Sequence, residues 1–217
     1  MTDVWLRITL LSATTIGGGE GMPAEVDVDV EYDEWGLPFI GGRRLKGLLV
    51  EEAALILGAF PQAEWVQAAE WLFGRPADAR SISHFRIADG QLLPDVRAQV
   101  REAVEAKRAS AADILGTLTE IRAQTAIDPT TGAPLKGTLR RTRALRRGLN
   151  FYSPIDWGGD PGERPQALLA GCALAVRRIG LGRSRGKGAV SLTLVDADGN
   201  DLTRTWAQPL LAAGGHS

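Results

Sequence analysis

The stretch Ile179-Gly180-Leu181-Gly182-Arg183-Ser184-Arg185-Gly186-Lys187-Gly188 interleaves glycines with basic side chains. Glycine permits positive φ and lets backbone come close to a phosphate. Exposed amides beside Arg183, Arg185 and Lys187 could then hold a polyanion without reading bases. The spacing excludes two nucleotide-binding loops. Arg185 stands where a dinucleotide fingerprint needs its third glycine, and Gly188 follows Lys187 where a P-loop needs Ser or Thr. The competing reading is a flexible basic loop with no ligand. A second cluster comprises Lys136, Arg140, Arg141, Arg143, Arg146 and Arg147, with no acid between Pro129 and Pro154; its competing reading is a solvated hairpin face. The formal net charge is only -1, so the field of the whole molecule would not draw in nucleic acid. Local segregation of charge must do so.

Other reactive residue types are sparse. His84 is the only histidine before the tail, which argues against a two-histidine ribonuclease mechanism and leaves it as a strand or core residue. The one cysteine, Cys172, sits among apolar residues, so neither an intramolecular disulfide nor a cysteine metal site is expected. A reducing compartment follows. The start lacks a signal-peptide pattern and no apolar run reaches transmembrane length, so a cytoplasmic protein with no membrane partner is expected.

The elements that must carry these groups follow from periodicity. Val4, Leu6, Ile8 and Leu10 alternate with more polar residues, predicting a strand with one buried face. Val26, Val28 and Val30 alternate with Asp27, Asp29 and Glu31, predicting a second strand with an acidic outer face. Leucines at helical spacing predict a helix over about 43 to 57 and another around 62 to 73. A strand through Phe85 and Ile87 follows, then a polar surface helix over about 95 to 108. Thr119 to Ile127, the turn at Asp128-Pro129-Thr130-Thr131-Gly132 and a return through Leu139 to Tyr152 read as a projecting hairpin. Pro165 opens a helix that runs to Gly180, and Val190, Leu192 and Leu194 form a last strand. Without insertions the order is strand, helix, strand, strand, helix, strand: an α+β, ferredoxin-like chain related to RNA-recognition sheets. We expect one domain over 1–217, an inserted hairpin at about 119–152, and a tail after about 205 that is a candidate for disorder.

Four segments in this order resemble the RAMP superfamily, and in particular the backbone subunits of type III CRISPR effector complexes. Gly36-Leu37-Pro38-Phe39-Ile40-Gly41-Gly42-Arg43-Arg44-Leu45-Lys46-Gly47 is similar to the family's G-L-P-x-I-P-G-S-S-L-K-G, with Gly41 in place of proline and Arg43 and Arg44 in place of serines. Leu72-Phe73-Gly74 resembles its L-F-G. Thr119 to Arg122, with Ile127-Asp128, Thr131-Gly132 and Phe151, resembles the thumb hairpin, with Pro129 in place of an arginine. Gly180 to Gly188 resembles the C-terminal glycine-rich loop.

The resemblance implies a subunit that stacks along CRISPR guide RNA beside other copies of itself and other effector subunits, with complementary target RNA as a further partner. Arg43, Arg44, Lys46, Gly180, Gly182, Arg183, Ser184, Arg185, Gly186 and Lys187 would hold phosphates. Lys136, Arg140 and Arg141 would add to them. Trp35, beside the first motif, could stack on a base, whereas Trp5, Trp65, Trp71 and Trp157 are packing residues. The family's target-cutting aspartate maps to Asp27, with Asp29 the alternative. There a divalent cation, Mg or Mn, would assist attack by the RNA's own 2′-hydroxyl. The two carboxylates would share a strand face, roughly 6.5 Å apart. A non-catalytic scaffold subunit and a guide-processing endoribonuclease are the rival readings.

Overall fold

The structure is a computed structural model and describes residues 3–20, 26–75, 81–128, 130–135 and 137–214, with backbone only at 18–20. Strand β1 (Val4–Leu10) keeps its alternation: Val4, Leu6, Ile8 and Leu10 are each 4% exposed or less. It lies in a four-stranded antiparallel sheet with β4 (Phe85–Ile87), β7 (Asn150–Trp157) and β8 (Val190–Val195), in the order β4-β7-β1-β8. That is the ferredoxin-like order. Helices α1 (Gly42–Ala59) and α2 (Ala63–Phe73) fall between β1 and β4, and α5 (Glu163–Ala175) between β7 and β8. The α+β expectation is met.

A second sheet, absent from the sequence reading, carries the hairpin. Its order is β2-β3-β6-β5, from β2 (Gly17–Glu20), β3 (Val28–Val30), β5 (Thr119–Gln124) and β6 (Arg140–Leu145). The expected return strand, Leu139 to Tyr152, is therefore two strands in two sheets. At Gly148 (φ +88°) the chain turns, and Gly148 and Leu149 bond to Leu10 at the end of β1. One buried apolar cluster includes Ile16, Val30 and Leu145 together with Ile8 and Leu192, so the core continues beneath both sheets.

Two helices follow β4. The surface helix α3 (Pro94–Glu105) buries no residue fully, as its composition predicts. Next, α4 (Ala111–Leu118) was not anticipated, although Ser110 and Asp113 form a capping box at its start. The tail expectation is corrected: α6 (Thr203–Gly214) packs on α5 through Ala207 and Leu210. Leu210 packs over Gly171, where an added Cβ would stand 2.3 Å from Leu210 Cδ2 and oblige that side chain to shift. With α6 on one side and the sheet on the other, α5 is buried along Ala167–Ala173, which explains why its sequence is apolar all round. It stops at Ala175, short of the predicted Gly180. No helix among the described residues is long and apolar enough to cross a membrane.

Candidate nucleic-acid interface

Strand pairing decides which basic side chains meet. Arg122 pairs with Thr142 and Gln124 with Arg140 across β5 and β6, and Val28 of β3 pairs with Thr142 in parallel. Side chains alternate along strands, so Val28, Arg122, Gln124, Arg140 and Thr142 share one face of the sheet. The glycine loop lies against that face. Between them runs a cleft of about 570 Å³, lined on the loop side by Leu181, Gly182, Arg185 and Lys187. Among the described residues no carboxylate lines it, and Arg140, Arg185 and Lys187 are exposed. Arg122 is also held by Glu120 at 2.7 Å.

The loop is a built structure. A single 3-10 turn, Arg183–Arg185, is flanked by Gly182 and Gly186 in left-handed conformation. Leu181 donates to the Thr15 carbonyl at 2.8 Å, and the Arg178 guanidinium donates to the Gly186 carbonyl. The loop closes where Ile179 donates to Gly188 at 2.9 Å. Gly188 has φ +76°, and a Cβ there would lie 1.9 Å from the Ile179 oxygen. Gly188→Ala should therefore cost about 2 kcal/mol or more and lower Tm by roughly 4–8 °C in a thermal melt, with loss of the loop's shape.

Several expected site residues lie elsewhere. Lys46 is turned inward: its Nζ donates to Ser83 Oγ at 2.7 Å and to the Phe85 carbonyl at 3.2 Å. Desolvation and the nearby Arg86 charge lower its pKa. It ties α1 to the chain leading into β4 instead of presenting a charge to a ligand. The first amide of α1, at Gly42, is already capped by the Asp89 carboxylate at 2.8 Å, so an internal anion occupies a place where a phosphate was expected. Arg43 is exposed on α1 and Arg44 half-buried, neither lining the cleft. Arg183 pairs with Glu51 on α1. Ser184 is exposed beside it, and Gly180, with φ +84°, abuts Thr15. Arg141 is exposed but alternates onto the face away from the cleft. Lys136 falls outside the described residues, as does Pro129.

The acidic strand is corrected most. Asp29 does not belong to an outer face: it is 4% exposed and accepts from Arg143 Nε at 2.9 Å and from the Val30 amide at 2.8 Å. A buried carboxylate is tolerable only when paired in this way. Arg143, expected among the solvated cations, is its partner. Asp27 is exposed. Its amide donates to the Arg141 carbonyl at 2.8 Å, and its Oδ2 accepts from the Arg141 amide at 2.6 Å. It precedes β3 and is not among the residues that line the cleft. Among the described residues no three His, Cys, Asp or Glu side chains gather as a metal cluster. As a single carboxylate, Asp27 suits a hard cation whose remaining ligands are phosphate oxygens and water.

The remaining candidates are structural. His84 stacks on Trp71 at 4.9 Å and its Nδ1 lies 3.3 Å from the Gly158 carbonyl. Trp35 is covered by Arg101, whose guanidinium sits 5.5 Å from the ring centroid. Cys172 is buried, and desolvation pushes its thiol pKa far up. Sequence reasoning missed Val28, Arg122, Gln124 and Thr142. Counting outward from the Asp128 turn would not have found these pairs, because the register shifts between Ile127–Pro134 and Gln124–Arg140, and nothing in the sequence sets the glycine loop opposite them.

Comparison with known proteins places this geometry. No curated protein matches the chain in sequence. Among solved structures, a chain of the type III-B Cmr-beta bound to cognate target RNA, determined by cryo-EM, superposes with a TM-score of 0.66. The two are 14% identical over 89% of this chain and 97% of that one. A chain of the apo Cmr-beta gives 0.64 at 14% identity and the same coverage. At that identity the likeness establishes the fold. The sequence model of the RAMP superfamily matches residues 7–191, which is most of the length, and the chain belongs to that superfamily.

Proposed function

We propose that this protein is an RNA-binding backbone subunit of a type III CRISPR effector complex. Guide RNA lies along the cleft, its phosphates against Arg140, Arg185 and Lys187, and Asp27 assists cutting of the paired target. The observation that carries the reading is the cleft between hairpin and glycine loop, which no carboxylate lines among the described residues. Its cations come from two distant stretches of sequence and converge on one groove. That is the arrangement a backbone-tracking site needs. The fold likeness to chains of type III-B Cmr-beta, one of them bound to cognate target RNA, agrees with it. Ile127, Leu135 and Leu139, all exposed in the hairpin connection, would be covered when copies assemble along one guide. The scaffold reading draws on a different observation: Asp27 already serves the fold through its bond to Arg141. The processing-endoribonuclease reading finds no histidine pair among the described residues.

The test is neutralisation of the cleft. Arg140→Ala, Arg185→Ala and Lys187→Ala combined should weaken single-stranded RNA of any sequence by similar factors. Loss of three phosphate contacts should also flatten the plot of log K against log salt by about 2. A triple variant that keeps wild-type affinity and slope would remove the cleft from RNA binding.

A further inference from the structure

The basic side chains of the glycine loop are not equivalent. Arg185 and Lys187 line the cleft, whereas Arg183 turns toward α1. There its two terminal nitrogens meet the two carboxylate oxygens of Glu51 at 2.8 and 2.9 Å. This parallel fork fixes orientation as well as distance. Arg183 is also the first residue of the turn that aims the other two. Arg185 and Lys187 donate to the Gly182 carbonyl at 2.8 and 3.2 Å, and Gly186 donates to that of Arg183 at 3.2 Å. Left-handed glycines, Gly182 and Gly186, bound the turn at both ends. Glu51 stands on the exposed face of α1 that also carries Arg43 and Gly47. Eight residues of helix separate it from Arg43, about 12 Å, so the pair anchors the loop at a defined place along that face. A guanidinium neutralised by a carboxylate is in turn a poor phosphate contact.

We infer that Arg183 is a positioning residue, locked by Glu51, which sets Arg185 and Lys187 toward the cleft. This rests on the cleft being the RNA site, and it divides the loop into a tether and a binding edge.

The sign of one substitution separates the two roles. Glu51→Ala removes a negative charge near the RNA and releases Arg183. If Arg183 were itself a phosphate contact, Glu51→Ala should tighten binding or leave it unchanged. If Arg183 positions the loop, Glu51→Ala should weaken binding of a single-stranded RNA by about five-fold, the upper range for an exposed pair. Arg183→Ala should do the same, and the double variant should be no worse than either single one. Tighter or unchanged binding by Glu51→Ala, or additive losses in the double variant, would overturn the inference. Arg185→Ala with Lys187→Ala serves as the control. If that variant binds as wild type does, the cleft reading fails on its own. The tether is then decided by hydrogen exchange at the Gly186 and Lys187 amides. Glu51→Ala must accelerate it, and unchanged exchange would overturn the tether.

Discussion

Asp29→Ala is expected to destabilise the protein by about 3–5 kcal/mol, the loss that follows removal of one partner from a buried ion pair. Asp29 and Arg143 are both nearly inaccessible, with side-chain exposures of 6% and 8%. Deleting the carboxylate removes an ion-pair partner from a desolvated guanidinium and also removes the acceptor for the Val30 amide. Against a total stability of about 5–15 kcal/mol, much of the population would unfold. Asp29→Asn should cost less, because an amide oxygen still accepts from both donors. Replacing the pair together, Asp29→Leu with Arg143→Met, should recover a large part of the loss, since both members of the buried pair are then apolar. Urea titration gives the ordering directly: wild type, then the double apolar variant, then Asn, then Ala. A wild-type midpoint for Asp29→Ala would show that the pair is not buried in solution. The result also bears on the choice of aspartate. Loss of activity in an Asp29 variant would report unfolding and not chemistry, so Asp29 is withdrawn as the alternative catalytic residue.

Asp27→Asn is the cleaner probe of cutting, and is expected to lower cleavage of paired target RNA by at least about a hundred-fold. A cation at the scissile phosphate contributes several kcal/mol of transition-state stabilisation, and each 1.4 kcal/mol is about a factor of ten. The amide keeps an oxygen to accept from the Arg141 backbone but carries no charge to hold Mg or Mn. Asp27→Ala should lose cutting as well, and in addition about 1 kcal/mol of stability from the missing hydrogen bond. Guide binding should survive in both, because Asp27 does not line the cleft. Cleavage would be followed on a labelled target with guide and protein assembled, with and without a divalent cation. Periodic cutting by Asp27→Asn at the wild-type rate would assign the chemistry to another subunit. Normal assembly without any cutting by the wild type would favour the scaffold.

The sequence by itself determined the ferredoxin-like sheet. Period-two burial in Val4–Leu10 and Val190–Val195, and helical spacing in Leu45, Leu49 and Ala53, are local patterns that survive folding unchanged. It also determined that the loop after α5 needs glycine and carries cations, because φ and charge belong to single residues. Pairing decided the rest. Asp29 and Arg143 lie 114 residues apart, and only the parallel contact of β3 with β6 makes them partners, converting two apparently solvated charges into a buried pair. The same contact sets Val28 beside Thr142 and so chooses Arg140, not Arg141, for the cleft. Arg183 and Glu51 are 132 residues apart, and their meeting turns Arg183 toward α1 and away from the cleft that Arg185 and Lys187 line. The tail was misread for a related reason: the apolar face of α6 acquires a meaning only against α5. Alternation and composition report what a residue can tolerate, whereas its partner is set by strands and helices brought together across the chain, and in this protein that choice separates the charges that can bind from those that hold the fold.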